Sequence, residues 1–139
     1  MLKTITIGYI LLIASFAQPN YTCTVTIDGL KNRKGTLYVG WYNNASDFLK
    51  IDKAVYYQKA TVANTSKKNF VFNNIPRGNY AISLFLDEDG NGKLSTNFLG
   101  IPIEKYAFSN NVKPAFRAAS FEEAKFKMEA DKEITIHIK

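Results

Sequence analysis

One cysteine and one histidine among 139 residues exclude several chemistries at once. A single thiol cannot make an intramolecular disulfide, so packing, with or without a metal, has to stabilise the fold. Zinc sites of the Cys/His type need several such ligands at short spacing, and that spacing is missing. His137 stands on the polar face of an alternating C-terminal run, with no nucleophile or carboxylate partner near it in sequence. It reads as a surface histidine, and no catalytic residue is identified. Phosphate-binding loops and dinucleotide fingerprints are absent. The formal charge of +6 is spread in short groups such as Lys31–Lys34 and Lys67-Lys68. No stretch interleaves arginine with aromatic residues, so nucleic acid is not an expected partner; weak attraction to acidic surfaces is. Only a hydrolytic pair of carboxylates stays open, because such pairs meet in space rather than in sequence.

Long apolar runs are equally scarce, with one exception. Lys3 precedes the apolar stretch Ile5–Phe16, and Ser15 and Ala17 place small residues three and one before Gln18. This is the pattern of a cleaved signal peptide over residues 1–17, and the run is short for a membrane span. The alternative is a retained N-terminal anchor. Asn20-Tyr21-Thr22 before Cys23 lack the small residues that lipid attachment requires. Removal of the signal leaves 139 − 17 = 122 residues, 18–139, as one domain with a charge of about +5. The expected location is exported, periplasmic or extracellular, with no membrane span after cleavage.

What the chain has in quantity is alternation, the period-two signature of strands. Cys23, Val25 and Ile27 alternate with threonines, and a buried cysteine is favoured there over a reactive thiol. Leu37, Val39 and Trp41 alternate with Tyr38, Gly40 and Tyr42. Val55–Val62, Phe70–Phe72, Tyr80–Leu86 and Ile134–Ile138 continue the series. Ser120 through Glu123 form a capping-box sequence, followed by Ala124, Phe126 and Met128 in alternation; a short turn or helix entering a strand is expected. The sum is an all-β sandwich of about seven strands, with a long loop region after the fifth, from Asp87 to about Ser120. Connections of that length are usually functional or held by something.

Asn74-Ile75-Pro76-Arg77-Gly78-Asn79-Tyr80 precedes a strand and the acidic run from Asp87 to Asn97. Gly100-Ile101-Pro102-Ile103-Glu104 and Phe108-Ser109-Asn110-Asn111 follow. This ordered set resembles the bacterial exported family known as domain of unknown function 2141. The resemblance implies an extracytoplasmic β-sandwich of transthyretin-like or immunoglobulin-like kind, and it assigns no activity. The family pattern has aspartate where Ser95 stands and glycine-rich sequence where Lys105-Tyr106-Ala107 stands; the first change removes one metal ligand. In the Pro-x-Gly-x-Tyr turn, Pro76 presets φ, Gly78 permits a positive φ, and Tyr80 starts a core-facing strand.

The acidic run has calcium-loop spacing. Asp87, Asp89 and Asn91 sit at positions 1, 3 and 5, and Gly92 at the turn position 6. Lys93 offers a backbone carbonyl at position 7 and Ser95 an oxygen at position 9. Position 12 is Phe98 rather than a bidentate glutamate, so Asn97 or Glu104 must fold back to close the shell. The same residues are good turn chemistry without any metal, and both readings stand at this point. The leading function is an exported, non-enzymatic binding or structural module with calcium at 87–97. Its expected partner is an envelope or cell-surface protein or polysaccharide. A second is a carbohydrate- or peptide-binding domain using exposed Tyr38, Tyr42, Tyr56 and Tyr106; a third is a hydrolase. If the signal is cleaved as read, N-terminal sequencing and intact mass of the exported form give a chain starting at Gln18, without lipid; a mass that includes residues 1–17 refutes the export reading.

Overall fold

The computed structural model describes residues 16–139, so all but the last two residues of the expected signal peptide lie outside the described residues. Eight strands run in order: β1 (Asn20–Asp28), β2 (Gly35–Tyr42), β3 (Tyr56–Val62), β4 (Lys67–Pro76), β5 (Gly78–Asp87), β6 (Lys105–Phe108), β7 (Phe126–Met128) and β8 (Lys132–His137). Among the described residues an α-helical turn, α1 (Phe121–Ala124), stands before β7, and 3-10 turns occur at Ile51–Lys53 and Ser109–Asn111. A three-stranded sheet has the order β4-β1-β8, with β1 antiparallel to β4 and parallel to β8. A five-stranded sheet has the order β3-β2-β5-β6, with β7 pairing the start of β5. The sandwich is as expected; the additional strand is β6, inside what reads in sequence as loop. Its four residues are apolar on both faces or lie at the edge, so no polar alternation marks it.

The inner faces meet as the alternation dictates. Cys23, Val25, Ile27, Leu37, Val39, Ile82, Leu86 and Ile136 are all fully buried between the sheets. Burial removes the Cys23 thiolate's solvation and pushes the thiol up to about 11, which makes it a small hydrophobe. Trp41 is 0% exposed. Its ring packs against Phe72, Phe126, Tyr80 and Tyr56 at centroid distances of 5.1, 5.3, 5.7 and 6.2 Å.

In the β4–β5 turn the left-handed residue is not the glycine. Gly78 does not take positive φ; Asn74 does, at 58°. Tyr80 folds back over the glycine, and a Cβ at position 78 would lie 3.2 Å from the ring, a tight contact that the bare glycine avoids. The Tyr80 hydroxyl donates to the Pro76 carbonyl at 3.1 Å, which ties the strand to its own turn.

The outer face of the larger sheet is apolar too. Tyr42 and Ala81 on this face pack with Phe48, Phe108, Ala119, Phe121 and Ala124 in a second core. The segment that supplies Phe121 is held by its cap: the Ser120 hydroxyl accepts from the Glu123 amide, and the Glu123 carboxylate accepts from the Ser120 amide. Arg117 donates twice to Glu123, at 2.7 Å each, and holds its carboxyl at about 2. This cover corrects the expectation of exposed tyrosines. Tyr42 is buried under Phe48 and the α1 region, while Tyr38, Tyr56 and Tyr106 are half-buried. Tyr56 faces the inner core rather than solvent.

Trp41→Ala is expected to lower unfolding free energy by about 3–5 kcal/mol in denaturant titration, the worth of a buried indole plus the cavity it leaves. Tyr42→Phe is the contrasting case. The Tyr42 hydroxyl, beside Ser83, is buried without a hydrogen bond of adequate geometry. Its removal should change stability by less than about 1 kcal/mol, with the gain side favoured.

Candidate metal centre

The acidic loop begins where β5 ends. Thr36 of β2 pairs with Asp87, and at Gly35 next to it a Cβ would lie 2.3 Å from the Asp87 carbonyl oxygen. That close approach pins the first acidic residue to the sheet. Asp87 is 3% exposed, and its carboxylate faces back into the loop. Oδ1 accepts from the amides of Gly90 at 2.7 Å and Asn91 at 3.2 Å; Oδ2 accepts from the Gly92 amide at 2.8 Å. Such curling around one side chain requires left-handed backbone at two points, and the two glycines supply it with φ of 78° at Gly90 and 74° at Gly92.

Glu104 arrives from the other side. Lys105 pairs with Leu86 across β5 and β6, so the residue just before Lys105 falls opposite Asp87. Glu104 is 6% exposed. Its Oε1 accepts from the amides of Glu88 at 2.8 Å and Asp89 at 3.3 Å, and its Oε2 accepts from the Ser95 amide at 2.9 Å. The intervening arm doubles back on itself, with the Ile103 amide donating to the Ser95 carbonyl and a bridge between Thr96 and Pro102.

Asp89 is exposed and completes the acidic set. Its Oδ2 accepts from the Ser95 hydroxyl at 2.7 Å and the Asn91 side-chain amide at 3.2 Å, and its Oδ1 from the Asn91 amide at 3.0 Å. The Ser95 hydroxyl and then the Asn91 amide hold its carboxyl below the usual carboxylate range. One carboxylate oxygen each of Asp87, Asp89 and Glu104 lie within 4.8 Å of one another.

The expected ligands therefore divide. Asp87, Asp89, Asn91 and Ser95 are brought together; Lys93 contacts them through its amide, which donates to Asn91 Oδ1 at 2.8 Å, rather than through the carbonyl expected of it. Of the two closing residues, Glu104 is in place. Asn97 caps its own turn instead, accepting from the amides of Leu99 and Ile101. The β6 pairing decides between the two, and β6 is the strand that sequence alternation does not mark.

Chemically, this is an all-oxygen site with two buried carboxylates and one exposed one. Hard cations suit it, and its lack of nitrogen and sulfur ligands makes it poor for softer transition metals. The backbone amides also give every oxygen of Asp87 and Glu104 a donor, so the loop is internally satisfied as a turn.

Together these features define a class: a two-sheet β-sandwich that carries an acidic loop between its doubly covered strand and the next. The chain belongs to the family described as uncharacterized protein conserved in bacteria, domain of unknown function 2141, whose model matches residues 25–137. Neither a curated protein nor a solved structure matches it.

Glu104→Gln, measured by urea unfolding in chelator, tests the amide-held turn. The neutral amide presents an NH2 group toward donors that now meet an acceptor, so a loss of about 1–3 kcal/mol is expected. A loss below about 0.5 kcal/mol would show that the arm does not depend on this carboxylate.

Proposed function

We infer that this protein is an exported, non-enzymatic binding or structural module whose acidic loop takes calcium. One observation carries the metal half of the reading. Glu104, seven residues past the end of the acidic run, is folded to the side of Asp87 and Asp89, where the sequence of the loop lacks its closing carboxylate. Two buried carboxylates and a third beside them repel one another, and a divalent cation relieves that repulsion more fully than amide dipoles do. The export half rests on the apolar N-terminal segment ahead of Gln18. The partners it fits are envelope or cell-surface proteins or polysaccharides. Among the described residues no helix is long and apolar enough to cross a membrane.

A carbohydrate- or peptide-binding reading has its own support. Tyr38 and Phe85 stack face to face, with ring centroids 4.8 Å apart and planes 3° from parallel. Tyr57 lies 6.2 Å from Tyr38, and Tyr106 pairs with Phe85 on the next strand. These four rings run across the outer face of the larger sheet.

Calcium binding only to the folded state must raise stability by mass action, about 2.7 kcal/mol at 100 times Kd. Extracellular modules of this kind bind at about 10⁻⁴–10⁻³ M. The melting temperature should therefore rise with millimolar calcium and rise less with magnesium, whose small octahedral shell dehydrates reluctantly. The double variant Asp87→Asn/Asp89→Asn should lose the response. Absence of calorimetric heat and of a melting shift up to about 10 mM calcium refutes the metal and leaves the plain turn.

A further inference from the structure

The outer face of the five-stranded sheet is covered at one end only. Phe121, Phe48 and Ala119 seal the part that holds Tyr42 and Ala81. Beyond them the same face forms the floor of an open groove of about 650 Å³. Ser83 and Phe85 of β5 and Tyr106 and Phe108 of β6 make that floor, paired strand to strand as Ser83 with Phe108 and Phe85 with Tyr106. Three separate connections stand up as walls: residues 49–51 after β2, residues 99–102 after the acidic loop, and residues 114–118 before α1.

The walls are apolar where water meets them. Leu49, Leu99, Ile101 and Phe116 line the groove and are 44%, 67%, 55% and 102% exposed. A monomeric protein seldom leaves so many large aliphatic and aromatic side chains clustered around a concavity, and such a cluster marks a place where something apolar binds. The charged side chains in the lining have one sign, with the carboxylates of Asp87, Asp89 and Glu104 outside it at the acidic loop. Lys93 and Arg117 line the groove, and no carboxylate does. Arg117 is already neutralised by its paired bonds to Glu123, whereas Lys93 makes no ion pair among the described residues. The polar groups on offer are thus one free ammonium, the Ser83 hydroxyl and the Tyr106 phenol. Side-chain amides and acids, with which proteins bind the hydroxyls of a sugar, are missing from the lining.

We propose that this groove is a binding site for a single-chain amphiphile with an anionic head, a long-chain fatty acid, with the acyl chain along the Phe85–Tyr106–Phe108 floor and the carboxylate at Lys93. The groove's volume falls in the range of about 300–1,000 Å³ that small-molecule sites occupy. Its three walls enclose a slender chain, and its one unpaired cation matches a single negative charge. The inference gives a ligand class to the binding half of the function proposed above and does not require calcium at the acidic loop.

The test is calorimetric titration of the full exported chain, in chelator, with decanoate, dodecanoate and tetradecanoate below their micelle concentrations. Affinity should rise about fourfold per added methylene until the groove is filled. Lys93→Gln should weaken carboxylate binding several-fold and leave dodecanol binding unchanged. Leu99→Glu, at an exposed position that the core does not use, should abolish binding of both while the melting curve stays that of the parent. No heat with any chain length, affinity that ignores chain length, or equal loss of acid and alcohol in Lys93→Gln overturns the proposal. Concentration-dependent dimerisation that the fatty acids fail to disperse would also overturn it, by assigning the apolar walls to a second copy of the chain. Because the titration runs in chelator, failure of the calcium reading leaves it untouched, and its own failure leaves that reading untouched.

Discussion

Strand β5 has apolar side chains on both faces, and the larger sheet is covered across its inner face and at one end of its outer face. Ile82, Leu84 and Leu86 turn toward the sandwich core, while Ala81 and Phe85 turn outward and are buried as well. A sheet face with Tyr42, Phe108 and Phe85 on it cannot be left to water without losing about 25 cal/mol for every Å² exposed. Phe48 from the connection after β2 and the long connection after β5 cover the Tyr42 end, and the rest of the face is the floor of the groove. The path of that long connection over the outer face brings in β6 and α1, and the pairing of β6 in turn sets Glu104 against the acidic loop. The candidate metal centre is thus a by-product of how the second face is sealed.

Much of the fold is legible because one face of most strands is polar. Threonines between Cys23, Val25 and Ile27, and the polar Thr135 and His137 between Ile134, Ile136 and Ile138, give the period-two pattern that fixes which side is inward. The pattern fails where both sides are buried. Lys105–Phe108 has no polar partner for Ala107 and Phe108 to alternate with, so β6 reads as loop. The same blindness makes Tyr42 look solvent-facing: alternation puts it on the outer face, and only tertiary structure says that Phe48 lies on top of it. The front of the acidic loop is local, so spacing alone brings Asp87, Asp89 and Asn91 to one turn. Its closing member depends on strand register nine residues beyond Ser95, and register is set by pairing partners rather than by spacing.

The loop and the groove share a piece of chain. Residues 93–102 run from the acidic cluster into one wall of the groove, and the Ser95 amide donates to Glu104 within that stretch. Leu99 and Ile101 therefore follow the carboxylate cluster within a few residues of backbone. The two sites differ in chemistry, one all oxygen and the other almost all carbon, and the short tether between them is a hydrogen-bonded arm rather than a long path through the core.

The central strand of the smaller sheet is β1, and its neighbours are β4 on one side and β8 on the other. The hydrogen bond from the Thr22 amide to Asp131 closes a span of 109 residues. Closing so wide a loop loses chain entropy before any contact repays it, and folds dominated by such pairings form slowly. Until β8 docks in parallel, Cys23, Val25 and Ile27 belong to a strand with an open, hydrogen-bond-hungry edge. The first and last strands of the domain are thus neighbours in one sheet, so the edge of β1 is closed only by the C-terminal end of the chain.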